Sequence, residues 1–435
     1  MRLQRLGPED VQRFGGPAGA ARHVRSLIAG GESVSGPVGE IIERVRSEGD
    51  QAIIDYTRQF DTAGSQPRDL LVSQEELDEA IKGLGLELVA GLQVAIANVA
   101  QVAVAGVGHD QVVELAQGQR IVLREVPVAA AAVYVPGGRA PYPSTVIMGL
   151  VTARAAGVID TVVCSPPGPH GQIDPVILGT CRLCGVERVY RMGGAQAIAA
   201  LAYGTHTVQP VDVIVGPGNL YVQEAKHQLS TVVGIDGFAG PSDLLVVLAS
   251  TVSEHELHLA ALDMLAQGEH GEGSLVAAVS PSADVCEALA AKLQQLVLER
   301  PTVGEAQFAI VHVESPQAAI SLANAFAPEH LQLMGAEVEA LAPSVRSAGC
   351  LFVGADSATA FGDYVAGSNH VLPTGAAARF ASQLSARHFR RRMAEVRIGP
   401  AAAKLAAAGA PIARAEGFEV HAESMEARVR ENGEP

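Results

Sequence analysis

The sequence predicts an α/β protein with parallel-type sheets covered by helices, and three observations point to it. From about residue 126 onward, short apolar, β-branched runs alternate with longer amphipathic ones, the pattern of strands buried on both faces and joined by crossover helices. Glycine-rich segments at 216–218 and 234–240 punctuate that alternation, so the apolar runs on either side of them are expected to belong to two separate sheets. The chain has 435 residues, 48% hydrophobic and 18% charged, which suits about three units of ~150 residues with real cores and argues against disorder.

Taken in order, residues 1–110 are expected to be mostly helical, because apolar residues recur at three and four positions in 37–49, 73–84 and 86–104. Strands are predicted at 130–135, 161–165, 211–215, 244–248, 275–279, 308–313 and 350–353, each a short apolar run. Helices are predicted between them at 144–156, 175–184, 196–203, 219–229, 253–267, 282–298 and 316–325. The helix near residue 253 has its start written in Ser253-Glu254-His255-Glu256, a capping box, and buries Leu259, Leu262 and Leu265. The last fifty or so residues read as alanine-rich and then acidic helix. A basic cluster from Arg387 to Arg392 is expected to be a solvated helix face.

A formal net charge of -16 excludes a general nucleic-acid binder, which duplex phosphate would repel. No basic, apolar and small-residue succession follows Met1, and no apolar run of about 18 residues is free of charge, proline and glycine, so a cytoplasmic protein without a membrane span is expected. The five cysteines are too few and odd in number for a disulfide framework. Cys181 and Cys184 form a C-x-x-C, but no second pair completes a zinc site, and a structural reading is preferred.

The chemistry concentrates in four places. Residues 362–374, Gly-Asp-Tyr-Val-Ala-Gly-Ser-Asn-His-Val-Leu-Pro-Thr, display Asp363 and His370 from a segment too rich in Gly, Asn and Pro to continue as a helix. Gln267 and His270 stand three apart at the end of the helix that begins near Ser253, where both can reach one ion. His255 and His258, earlier on that helix among acids, are expected at the surface. Ala327-Pro328-Glu329-His330 sets a carboxylate beside an imidazole; adjacent side chains diverge, so the pair suits two successive proton transfers rather than one. Glu416 and His421 fall in a break before the final helix, marked by Gly417. Gln267, His270, Asp363 and His421 supply two nitrogens and two oxygens, a set compatible with zinc or a neighbouring divalent metal.

These segments, together with Tyr134-Val-Pro-Gly-Gly, Gly193-Gly-Ala-Gln-Ala-Ile-Ala-Ala-Leu, Gly216-Pro-Gly-Asn-Leu-Tyr-Val, Gly240-Pro-Ser and Ala415-Glu-Gly-Phe-Glu-Val-His, run in an order that strongly resembles the histidinol dehydrogenase family over nearly the whole chain. The resemblance implies an NAD-dependent enzyme that oxidises L-histidinol twice, through L-histidinaldehyde, to L-histidine. It implies that Gln267, His270, Asp363 and His421 hold zinc, that His330 takes the alcohol proton, and that Glu329 activates the water that adds to the aldehyde. Ser242, His370 and Glu416 match substrate-contacting positions, as do the zinc set and His330, while Tyr134, Gln196 and Asn219 match positions that contact NAD.

The same resemblance implies a homodimer in which the C-terminal segment completes the partner's site. It further implies two incomplete Rossmann-like domains: an arm at 1–25, a first domain of 26–133 with 243–380, a second of 134–242, and a C-terminal helical segment at 381–435. No G-x-G-x-x-G follows a predicted strand, so NAD rests on the resemblance alone. The chain departs from the family at Asp243, where Glu is common, at Gly237-Phe238, and within 383–392; these departures bear on substrate fit and domain packing. Two other readings compete: a paralogue that oxidises another small polar alcohol such as a sulfonated diol, and a non-catalytic zinc-binding scaffold. The second predicts loss of Glu329 or His330, and both are present.

Overall fold

A computed structural model describes residues 2–28, 33–137, 140–237, 240–271 and 273–429, so the Phe238 departure lies outside the described residues. Its strands are β1 (Arg2–Leu6), β2 (Gln111–Glu114), β3 (Arg120–Pro127), β4 (Ala130–Tyr134), β5 (Asp160–Ser165), β6 (Arg188–Arg191) and β7 (Val213–Val215). They continue with β8 (Gly234–Ile235), β9 (Asp243–Leu248), β10 (Leu275–Ser280), β11 (Gln307–His312), β12 (His330–Met334), β13 (Cys350–Val353) and β14 (Arg390–Arg397). They form a six-stranded sheet ordered β1-β11-β10-β9-β12-β13, a five-stranded sheet ordered β6-β5-β4-β7-β8, and a small sheet ordered β14-β3-β2. The first two are parallel throughout and the third is antiparallel.

Both parallel sheets are buried on two faces, which is why their strands are nearly continuous apolar runs. Along β9, Leu245 and Val247 enter one core while Leu244, Val246 and Leu248 enter the other. Along β4, Ala131 and Val133 face one core and Ala132 and Tyr134 the opposite one. The glycine-rich break at 234–240 does separate the two sheets, with β8 closing one and β9 lying inside the other.

Packing redraws the expected domain grouping. The helix Ser35–Glu48 buries Val38, Ile41 and Val45 against Tyr134 and Tyr190 of the five-stranded sheet, and Leu77, Leu92 and Val99 join Ala131 and Val133 on its other face. Residues 35–105 therefore cover the second sheet, although the sequence grouped them with 243–380. The helix Pro17–Arg25 instead packs Ala20, Ala21 and Val24 against the core of the six-stranded sheet, whose edge strand is β1.

One further reading is corrected. Arg390 to Arg397 form strand β14, paired antiparallel with β3 along all eight residues, where a helix face was expected. The helix Leu86–Ala105 is long and apolar enough, by length and composition, to cross a membrane. It buries only the stripe Leu92, Ala95 and Val99 and leaves Val94, Val102 and Val104 exposed.

Candidate active site

Strand β12 brings the acid–base pair into place. The helix Pro316–Phe326 ends at Ala327, which adopts a left-handed conformation at φ 48°; Pro328 follows, and His330 opens the strand. Its neighbour β9 opens at Asp243, so Ser242 and Asp243 lie beside Glu329 and His330 at the amino edge of the six-stranded sheet. Glu329 Oε2 accepts hydrogen bonds from Ser242 Oγ at 2.5 Å and from the Asp243 N–H at 3.0 Å. Gln267 Nε2 donates to the same Ser242 Oγ at 2.6 Å. That bond ties the helix Glu254–Gly268 to the pair.

The segment 359–374 closes the cluster from the other side. Asp363 lies in the short helix Thr359–Tyr364, not in the loop that the sequence suggested, because Gly362 is accommodated within the helix and Gly367, Asn369 and Pro373 all follow it. Its carboxylate stands 3.4 Å from His330 Nε2. His370, in the following loop, donates from Nδ1 to the Asp363 carbonyl at 2.9 Å, which fixes its tautomer and leaves Nε2 to accept from Thr145 Oγ1 at 3.4 Å. Asn369 anchors the same loop on Met148 O and Thr152 Oγ1 at 3.0 and 3.1 Å. The Gly240 N–H donates to Thr374 Oγ1.

The charges of the cluster are coupled. Burial lifts the Glu329 carboxyl to about 7 against the pull of His330. Burial alone would depress His330, but Glu329, Asp363 and Asp243 overcome it and raise the imidazole to about 9. Asp363 is held below the usual carboxylate range: burial opposes this, but the His330 hydrogen bond and the imidazoles of His330, His370 and His270 prevail. His270 and His370 are both lowered by burial, with Asp363 opposing.

A consequence can be measured in the metal-free protein. A histidine raised on folding stabilises fully below its unfolded value and loses that contribution as pH climbs through the folded value. The urea midpoint is therefore expected to fall between about pH 6.5 and about pH 9. His330→Asn should flatten that decline; an unchanged slope in the variant would place its origin elsewhere.

Tyr134, Gln196 and Asn219 gather at the carboxyl edge of the five-stranded sheet, after β4, β6 and β7, where open α/β sheets bind ligands. Tyr134 Oη accepts from the Gly194 N–H at 3.2 Å, at the start of the helix Gly194–Tyr203, and burial pushes its phenol up. Gln196 is buried in the same helix, while Asn219 is exposed and spends its Oδ1 capping the helix Leu220–Leu229. The Gly193-Gly194 turn starts that helix without a side-chain cap from Gly193, and the Gly194 N–H is taken up by Tyr134. Thr145 begins the helix after β4, so its bond to His370 brings this edge to the acid–base cluster.

Glu416 and His421 are not part of the cluster within one chain. Glu416 caps the helix Ala402–Ala415, and His421 lies inside the helix Glu419–Glu426, both exposed, with the His421 ring 5.1 Å from Phe418. These two helices share a small core of Ala410, Ala413 and Ala422. Among the described residues, no three His, Cys, Asp or Glu side chains are grouped to hold a metal. Within one chain Asp363 and His270 influence each other's charge beside the helix end that carries Gln267, and His421 does not join them. The buried His330 Nδ1 makes no hydrogen bond, since Glu329 lies 3.8 Å away.

Asp243 differs from expectation too. It is 1% exposed, pairs with Arg25 and accepts the Glu329 N–H, so its change from the common Glu bears on the setting of Glu329 rather than directly on substrate. Arg25 itself carried no sequence signal. Cys181 and Cys184 are buried in the helix Pro175–Leu183 and at its cap, with raised thiols, as a structural role requires.

Two parallel sheets that set a nucleotide-type carboxyl edge against paired proton acceptors define a dehydrogenase-like oxidoreductase. The sequence profile of histidinol dehydrogenase matches residues 29–429. A histidinol dehydrogenase from Rhizobium meliloti (strain 1021) is 40% identical over 405 residues, covering 92% of each chain. One from Synechococcus sp. is 40% identical over 90% of this chain and 91% of that protein. The crystal structure of the enzyme from Elizabethkingia anophelis superposes with a TM-score of 0.89 at 29% identity, covering 98% of each chain. The chain belongs to the histidinol dehydrogenase family.

Proposed function

We propose that this chain catalyses the NAD-dependent, four-electron oxidation of L-histidinol through L-histidinaldehyde to L-histidine, as the last steps of histidine biosynthesis in the cytoplasm. The observation that carries the reading is the pair of buried proton acceptors, Glu329 and His330, set side by side against Asp363. In the first step His330 takes the hydroxyl proton as hydride leaves the carbinol carbon for the nicotinamide. In the second, Glu329 takes a proton from the water that adds to the aldehyde, and the hydrate gives up a second hydride. Each step yields one NADH and one proton. An imidazole suits the first transfer and a carboxylate with a value near 7 suits the second.

Gln267, His270 and Asp363, with His421 of the partner subunit, would hold zinc, which supplies a fixed positive charge and an anchor for the substrate's nitrogens. That cation would also favour the unprotonated His330 that a base must be, since the imidazole is otherwise held protonated by its carboxylate neighbours. Ser242, His370 and Glu416 would contact substrate, and Tyr134, Gln196 and Asn219 would contact NAD.

A homodimer with shared sites supports the missing fourth donor. The exposed apolar residues of the helix Leu86–Ala105, those of the small sheet at Val112, Val113 and Val396, and the C-terminal pair of helices all offer surface to a second copy.

The test is NADH yield in a purified, metal-replete sample. Two equivalents per L-histidinol consumed are expected; one equivalent with free aldehyde would remove Glu329 from its assigned role. A panel of other small polar alcohols, including sulfonated diols, is expected to give far lower kcat/KM, and a strong preference for any of them would displace histidinol.

A further inference from the structure

We propose that Arg25 is a positioning residue for Glu329, acting from the N-terminal segment through Asp243. Arg25 ends the helix Pro17–Arg25 and reaches the turn that precedes the two bases. Its Nε donates to the Phe326 carbonyl at 2.6 Å and its Nη2 to the Ala327 carbonyl at 3.0 Å. Its Nη1 donates to Asp243 Oδ2 at 3.1 Å, with Nη2 3.5 Å from Oδ1, and its guanidinium lies 4.0 Å over the Phe326 ring. Asp243 Oδ1 accepts from the Glu329 N–H at 2.7 Å, while the Asp243 N–H donates back to the Glu329 carboxylate. One side chain thus fixes the residue before the turn, the turn itself and, through Asp243, the backbone and carboxylate of Glu329.

Two physical arguments make this a matter of geometry rather than stability alone. Ala327 sits at φ 48°, a conformation that costs free energy in any residue with a Cβ and persists only where its surroundings over-determine it. Arg25 supplies that constraint, and it also satisfies two carbonyls that the end of the helix Pro316–Phe326 leaves without intrahelical donors. Buried ion pairs of this kind add little net stability over an apolar replacement, because desolvation offsets the attraction. A planar fork that spans two carbonyls and a carboxylate has no lysine equivalent.

The inference rests on the assignment of Glu329 to the second oxidation. Arg25→Lys keeps the buried charge paired but cannot span all three acceptors, and Asp243→Asn keeps the size while weakening the grip on Arg25. In both, oxidation of supplied histidinaldehyde is expected to lose at least about tenfold more in kcat than oxidation of histidinol to trapped aldehyde, with KM for each little changed. Equal losses in the two half-reactions, or losses that track only the folded fraction seen in thermal melts, would overturn the positioning role. The unsubstituted enzyme run alongside separates the outcomes: if it does not deliver two NADH per histidinol, the functional assignment fails, and if it does, an even loss in the variants refutes only the part given to Arg25.

Discussion

Glu329→Gln is expected to stop the reaction halfway, with NADH yield falling from two equivalents per histidinol toward one and the aldehyde accumulating. The amide retains the size of the carboxylate and can still pair with Ser242, so the fold around β9 and β12 should survive. It lacks a basic oxygen, and general-base assistance is worth about 10²–10⁴-fold, so the aldehyde step should slow by about a thousandfold. The alcohol step should change by less than about tenfold, because the His330 imidazole has its own partner in Asp363. Stopped-flow NADH formation with an aldehyde trap reads both steps in one sample. Two equivalents at an unimpaired rate would show that another group activates the water.

Part of this design is legible in the residues and part is not, for physical reasons that can be named. The seven strands that the alternation predicts all exist, because buried parallel strands must be apolar and β-branched along their whole length. Besides the two-residue β8, strands β1, β2, β3, β6, β12 and β14 escape that reading. Each carries charged or polar residues: Arg at both ends of β6, and His330 with the fully buried Gln332 in β12, where Asp263 and the Ser357 carbonyl accept from its amide. Spacing placed Gln267 and His270 at the end of one helix, and the structure ends that helix at Gly268 with His270 in the turn just beyond. Spacing could not foretell that Ser242 would link Gln267 to Glu329, since that contact depends on which strands are neighbours. Arg25 is further from legible still: nothing in a lone arginine of a helix predicts a partner 218 residues away.

Mixing a His421→Ala chain with a His330→Ala chain is expected to restore activity that neither has alone. The helix that bears His421 is packed against its own neighbour and exposes Glu416, Phe418, Val420 and His421 on one short stretch, while the cluster at Gln267, His270 and Asp363 lacks a fourth donor. If the stretch serves the other subunit, a mixed dimer contains one site with both substitutions and one with neither. Random re-pairing of equal amounts makes half the dimers mixed, each with one intact site, so about a quarter of the unsubstituted activity should return. Subunit exchange is followed separately with two affinity tags. Activity that stays at the level of the parent variants after exchange is complete would mean that His421 acts within its own chain, through a rearrangement of the C-terminal helices. A second mixture, His421→Ala with a chain carrying both substitutions, keeps an intact His330 but supplies no His421 and should remain inactive, which ties any recovery in the first mixture to the sharing of His421.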